Sequence, residues 1–94
     1  MSEAVSANFE IGDSVIYQTL KDEVVVLNMD NQNYFGLDNV GAKMWEQLLA
    51  QKSISGAVRQ LQQIFSVDEE TLRRDLEALV TKLLAAGLIK HQPD

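Results

Sequence analysis

The apolar residues of this chain change their spacing at residue 38, and that switch narrows the fold to a short sheet joined directly to a helical bundle. Upstream, Tyr34-Phe35-Gly36-Leu37 closes an extended run, and Asp38 or Asn39 offers a helix cap. Downstream, Gly41-Ala42 and Trp45-Glu46 open a segment with a 3.6-residue period. Reading back from the switch, Val24-Val25-Val26-Leu27 is the strongest strand signal, with Val15-Ile16-Tyr17 before it. Lys21-Asp22 and Asp30-Asn31 are the breaks, since Asn and Asp bond their own backbone and tolerate left-handed geometry. A third short strand covers Asn33 to Leu37, and together the runs predict a three-stranded antiparallel meander. The Val24–Leu27 run is apolar on both faces, whereas a sheet wetted on one face alternates. Helices are therefore expected over one face, with the N-terminal arm, another strand or a partner over the other.

Three helices follow. The first carries Val40, Met44, Trp45, Leu48 and Leu49 inward. Ser53 caps the second, which carries Ile54, Ala57, Val58, Leu61, Ile64 and Phe65. Gly56 sits near its first turn, at a cost of up to about 1 kcal/mol against Ala. Asp68 caps the third, and Glu69 and Glu70 suit the positive end of its dipole. This helix runs to about Ala86 and stops at Gly87, the residue type that accepts a left-handed C-terminal cap. Unrolled at about 100° per residue, it shows a stripe of Leu72, Leu76, Leu79 and Leu83, which Val80 and Leu84 widen to one side. Arg73 and Glu77 border that extension, and Arg74, Thr81 and Ala85 face water. The widened edge reads either as ordinary core or as the wall of a binding groove.

One domain is expected over residues 13–90, with a flexible arm over 1–12 and a tail over 91–94. The N-terminal residues lack the basic start and apolar run of a signal peptide, and no stretch approaches the roughly 18 apolar residues of a membrane span. The chain has no cysteine, which removes disulfides, thiolate metal sites and thiol nucleophiles and fits a reducing cytoplasm. The net charge of −6 disfavours a nucleic-acid partner, because such proteins draw most of their affinity from Lys and Arg on phosphates. Arg73-Arg74 is the one adjacent basic pair.

No catalytic constellation emerges. His91, the single histidine, lies in the tail without an acidic or serine partner. Asp22-Glu23 and Asp68-Glu69-Glu70 read as a turn and a helix start rather than an acid–base pair, which needs a cleft to shift its pKa values. No phosphate-binding glycine loop or calcium-loop spacing is present, so neither cofactor nor metal is expected. Trp45 reads as a core anchor. Tyr34 and Phe35 are adjacent and so point to opposite faces of their strand. One can pack on the helices while the other faces out, and either something docks on the exposed aromatic or Phe35 packs on the third helix with no further function.

The order of three strands and then three helices gives an α+β, winged helix-turn-helix-like fold class with its sheet leading. On Val24-Val25-Val26-Leu27-Asn28, Tyr34-Phe35-Gly36-Leu37-Asp38, Val40-Gly41-Ala42, Trp45-Glu46-Gln47-Leu48 and the C-terminal set Asp75, Leu76, Leu79, Leu83, Gly87, Leu88 and Ile89, the chain resembles the PqqD family. These domains recognise precursor peptides of ribosomally made, post-translationally modified products. The match spans about residues 12–90. Two departures stand out. Asp30-Asn31-Gln32-Asn33 replaces a turn that often holds a glycine, and Gly56 stands where a helix-capping acid is usual.

The resemblance implies a non-catalytic adaptor. It would bind the leader segment of a precursor peptide as an added strand on the third strand and present it to a modifying enzyme, which could be a radical enzyme, a macrocyclase or a leader protease. It implies backbone bonds at Asn33, Tyr34 and Phe35, side-chain pockets against Leu76, Val80 and Leu84, and Arg73 and Glu77 at the rim. It covers quinone-cofactor and lasso-peptide pathways alike. An unpaired edge also permits an edge-strand dimer. The competing readings are a winged-helix DNA-binding regulator and a structural subunit of an enzyme complex.

Overall fold

The computed structural model describes residues 8–92. Its elements are β1 (Asn8–Ile11), β2 (Val15–Leu20), β3 (Glu23–Asn28), β4 (Tyr34–Leu37), α1 (Asn39–Gln51), α2 (Ile54–Leu61), α3 (Glu69–Ala85) and β5 (Ile89–Gln92). The architecture is α+β, with the expected meander as a β2-β3-β4 antiparallel sheet and the three helices after it. No helix among the described residues is long and apolar enough to cross a membrane.

A second sheet adds to this plan. β1 pairs antiparallel with β5, Phe9 opposite His91 and Ile11 opposite Ile89. The arm expected over residues 1–12 therefore becomes a strand from residue 8, and the tail expected from residue 91 is still strand at Gln92. The remainder of those two expected segments, 1–7 and 93–94, lies outside the described residues. Burial is the reason for the strands: Phe9, Leu88 and Ile89 all belong to the hydrophobic core. Lys90 Nζ adds ion pairs to Asp13 Oδ1 at 2.7 Å and Glu10 Oε2 at 3.5 Å.

One face of the meander packs on the helices. Val24 and Val26 are fully buried with Leu37, and Phe35 packs at the margin of the same core. Trp45 is fully buried as expected, its ring meeting Tyr17 edge-on with centroids 5.3 Å apart. The opposite face is open to solvent: Ile16, Leu20, Val25 and Tyr34 are all exposed.

The helix starts follow the cap chemistry. Asp38, Ser53 and Asp68 each accept a hydrogen bond from the backbone N–H three residues on, at Gly41, Gly56 and Thr71. At the end of α3, Gly87 takes φ 74°. The Leu88 N–H then reaches the Leu83 carbonyl at 2.9 Å, and the Gly87 N–H the Leu84 carbonyl at 3.1 Å. Those paired bonds form a Schellman cap.

Packing departs from the expected stripes in three places. Val40 is exposed in the first turn of α1, and Ala42 takes the buried position instead. The second helix stops at Leu61 rather than running through Phe65, which leaves Ile64 exposed. In α3 the buried set is Leu72, Leu76, Val80 and Leu83, with Leu79 half-buried. Val80 is thus core and Leu79 a margin residue, the reverse of the expected pair.

Candidate functional site

The β3–β4 hairpin fixes which backbone groups of β4 are spent and which are not. Asn28 N–H donates to the Asn33 carbonyl at 2.8 Å, so these two residues form a hydrogen-bonded pair. The register continues Leu27–Tyr34, Val26–Phe35, Val25–Gly36 and Val24–Leu37. Hydrogen-bonded and non-bonded pairs alternate in an antiparallel ladder. Phe35 and Leu37 therefore bond β3, while the N–H and C=O of Tyr34 and Gly36 turn to the other side. Among the described residues no strand pairs with that side, because β4 ends the three-stranded sheet.

This alternation revises the backbone roles expected of Asn33, Tyr34 and Phe35. Asn33 uses its carbonyl on Asn28, and its N–H donates to Asn31 Oδ1 at 2.9 Å. Phe35 is committed to Val26. The N–H and C=O of Tyr34 face away from β3, and those of Gly36 are the second outward pair. The missing signal was the register, which follows from the turn and not from strand composition.

The turn itself is anchored on α3. Asn28 Nδ2 donates to the Gly87 carbonyl at 2.8 Å. Asn31 Nδ2 and Asn33 Nδ2 both reach the Ala86 carbonyl at 3.4 Å. The Asn31 and Asn33 amides thus serve the carbonyl of Ala86, the C-cap of α3, where a helix leaves carbonyls without intrahelical partners, and the Asn28 amide at the end of β3 serves Gly87 just beyond it. Gln32 occupies the left-handed region at φ 63°, the geometry that a glycine would ordinarily supply. These contacts place the start of β4 against the end of α3.

On α3 the expected groove residues occupy different depths. Leu76 is fully enclosed and Val80 nearly so, whereas Leu84 is half-buried against the core. Arg73 is half-buried and pairs with Glu69 at 3.5 Å. Glu77 is exposed. Its backbone carbonyl accepts the Thr81 hydroxyl at 2.9 Å. Residues 73, 77, 80 and 84 share one side of the helix by their spacing of three and four.

The solvent face of the sheet carries an open hollow of about 350 Å3 lined by Ile16, Tyr17, Gln18, Val25 and Leu27. Among the described residues, no group of three or more His, Cys, Asp or Glu is placed to hold a metal ion. Among the described residues two titrating groups are shifted, Asp68 and Lys90, and both lie away from β4. The hydrogen bond from the Thr71 hydroxyl, with its backbone N–H, holds the Asp68 carboxyl below its ordinary value. The bond to Asp13 raises Lys90.

A small three-stranded sheet, packed on helices and with its two edge strands β2 and β4 unpaired on their outer sides among the described residues, defines a class of open-edged α+β domain suited to pairing with an extended chain. The profile of the family described as coenzyme PQQ synthesis protein D (PqqD) matches residues 23–89, and the chain belongs to that family. Among solved structures, it is similar to TbiB1 in complex with the TbiA(beta) leader peptide. That similarity has 34% identity and a TM-score of 0.81, covering 90% of this chain and 99% of the other. A lasso peptide synthetase B1 complexed with the leader peptide shares the fold at 24% identity and a TM-score of 0.79, covering 89% and 99%. No curated protein sequence matches the chain at a significant level.

Proposed function

We propose that this chain is a non-catalytic adaptor that takes the leader segment of a ribosomally made precursor peptide as a fourth strand on β4. The bound leader is then handed to a separate modifying enzyme or leader protease in the cytoplasm. The observation that carries this reading is the outward pair of backbone donors and acceptors at Tyr34 and Gly36, on the β4 edge of the sheet. The likeness to TbiB1, solved with a leader peptide, supports it. The order of sheet and then helices also suits a winged-helix-like description. The charge of −6 keeps a peptide ahead of DNA as the partner.

Magnitudes divide the labour between backbone and side chains. Two outward residues offer up to four strand bonds, each about 0.5–1.5 kcal/mol net. Association and ordering of a flexible leader cost roughly 4–15 kcal/mol. Backbone pairing alone therefore sets orientation without holding the guest. Two or three buried apolar side chains, at about 1.5–3 kcal/mol each, bring the balance into a usable range. Selectivity accordingly belongs to the side-chain sites flanking β4. On the α3 side, Leu84 and Phe35 supply accessible apolar surface, with Leu76 and Val80 behind them and Arg73 and Glu77 at the rim.

The test is a titration of isotope-labelled protein with the leader of a precursor peptide from a short open reading frame neighbouring this chain's gene. The amides of Tyr34 and Gly36 should shift and gain protection from exchange, while those of β2 keep their free values. Shifts confined to α1 and α2, or no shifts at all, would refute the adaptor reading.

A further inference from the structure

The middle of β4 carries a glycine that the chain's own folding does not require. Gly36 is exposed, and its φ lies outside the left-handed region that Gly87 occupies. A Cβ built on it meets no atom within 4 Å. Among the described residues, no turn or close approach demands a bare position there. Glycine nevertheless weakens a strand, and an interior strand glycine often marks a place where another chain or ligand comes close.

Its surroundings on the solvent face are apolar. Val25, directly opposite Gly36 on β3, is 38% exposed, and Tyr34, two residues back on the same face, is 69% exposed. Leu27 lies opposite Tyr34. Gly36 is thus a bare shelf with apolar residues on two sides. Val25 and Leu27 continue it into the hollow that Ile16 also lines.

The shelf sits at the β4 edge of the sheet. A strand paired with β4 through Tyr34 and Gly36 places the residues opposite them on this same solvent face. A large side chain opposite an edge glycine can fold across it and cover the strand beyond, and aromatic rings do this well. We propose that Gly36 is a specificity-determining position. It leaves room for one large apolar side chain of the leader, aromatic by preference, which lies over Gly36 against Val25 and beside Tyr34. Recognition is then two-sided, with one set of guest side chains toward α3 and the alternate set on the solvent face. This inference rests on the strand-addition reading above and adds to it the chemistry of one guest residue.

The experiment is a double-mutant cycle with the leader of a precursor peptide from a short open reading frame neighbouring this chain's gene, supplied as a synthetic peptide. Gly36→Val fills the shelf with a β-branched residue that suits a strand, so melting should stay equal or rise. Its affinity for the leader should fall roughly tenfold or more. Replacing each leader residue by alanine in turn should reveal one large apolar position that matters to the natural chain and is silent against Gly36→Val. Gly36→Ala, a smaller perturbation, serves if the valine variant is unfolded, and should show the same pattern with a smaller loss. Equal affinity of the natural and variant chains overturns the shelf while leaving strand addition intact. Strictly additive losses at every leader position do the same. A natural chain that does not bind the leader overturns both readings.

Discussion

At the scale of single residues, two backbone positions show how local geometry sets stability. Gln32 adopts φ 63° in the turn before β4, and a left-handed L-residue costs about 1–2 kcal/mol. Gln32→Gly should therefore stabilise the protein by up to about 1 kcal/mol, read as a higher denaturant midpoint at unchanged slope. Gly87 is the converse case. At φ 74°, its added Cβ would lie 2.8 Å from Asn28 Nδ2. Gly87→Ala should cost about 1–3 kcal/mol, because it strains the backbone and displaces an amide that serves the end of α3. Asp68 supplies a pH signature. Its carboxyl titrates below the ordinary 3.8 when folded, chiefly through the Thr71 hydroxyl. The folded state thus binds the proton less readily than the unfolded chain does. The cap's contribution is fully present above 3.8 and is lost as pH falls through the lowered folded value. In an acid titration of melting temperature, Asp68→Asn should keep a cap but flatten that part of the profile.

At the scale of elements, the helix starts were legible and the terminal strands were not. Asp38, Ser53, Asp68 and Gly87 act through groups within a few residues, so their side chains announce the helix ends. β1 and β5 are four-residue strands paired across the whole chain, too short to show a period and joined by contacts that no window can contain. The exchange of Val80 for Leu79 in the core has a similar cause, since a few degrees of helix rotation decide which of two neighbours is enclosed. Of the candidate site, the edge position of β4 was legible. Its outward groups were not, because they follow from the hairpin register. Gly56 shows an element-level constraint hidden in a departure from the family pattern. A Cβ there would lie 2.9 Å from Gln51 Cβ and 3.0 Å from the Ser53 hydroxyl. Gly56→Glu, which restores an acidic cap, should consequently destabilise by about 1–3 kcal/mol despite its favourable charge. Thermal melts of Gly56→Glu beside Gly56→Ala test whether the shared Cβ is responsible.

At the scale of the whole molecule, the core joins both sheets to all three helices. Leu76 lies near its centre, fully enclosed, and Leu76→Ala should cost roughly 2–5 kcal/mol in denaturant unfolding. Its effect on leader affinity should appear only where unfolded protein accumulates. A chain ended after Gly87 loses Leu88, Ile89 and the partner of β1. That truncation should abolish a cooperative melt.

The pairing of β1 with β5 sets Asn8 beside Gln92, so the described chain enters and leaves the domain at neighbouring points. A host protein can therefore accept this unit inside one of its own surface loops, with both seams at a single spot. Joining those two ends and reopening the chain at Lys21-Asp22 would give a circular permutant with its breaks away from β4.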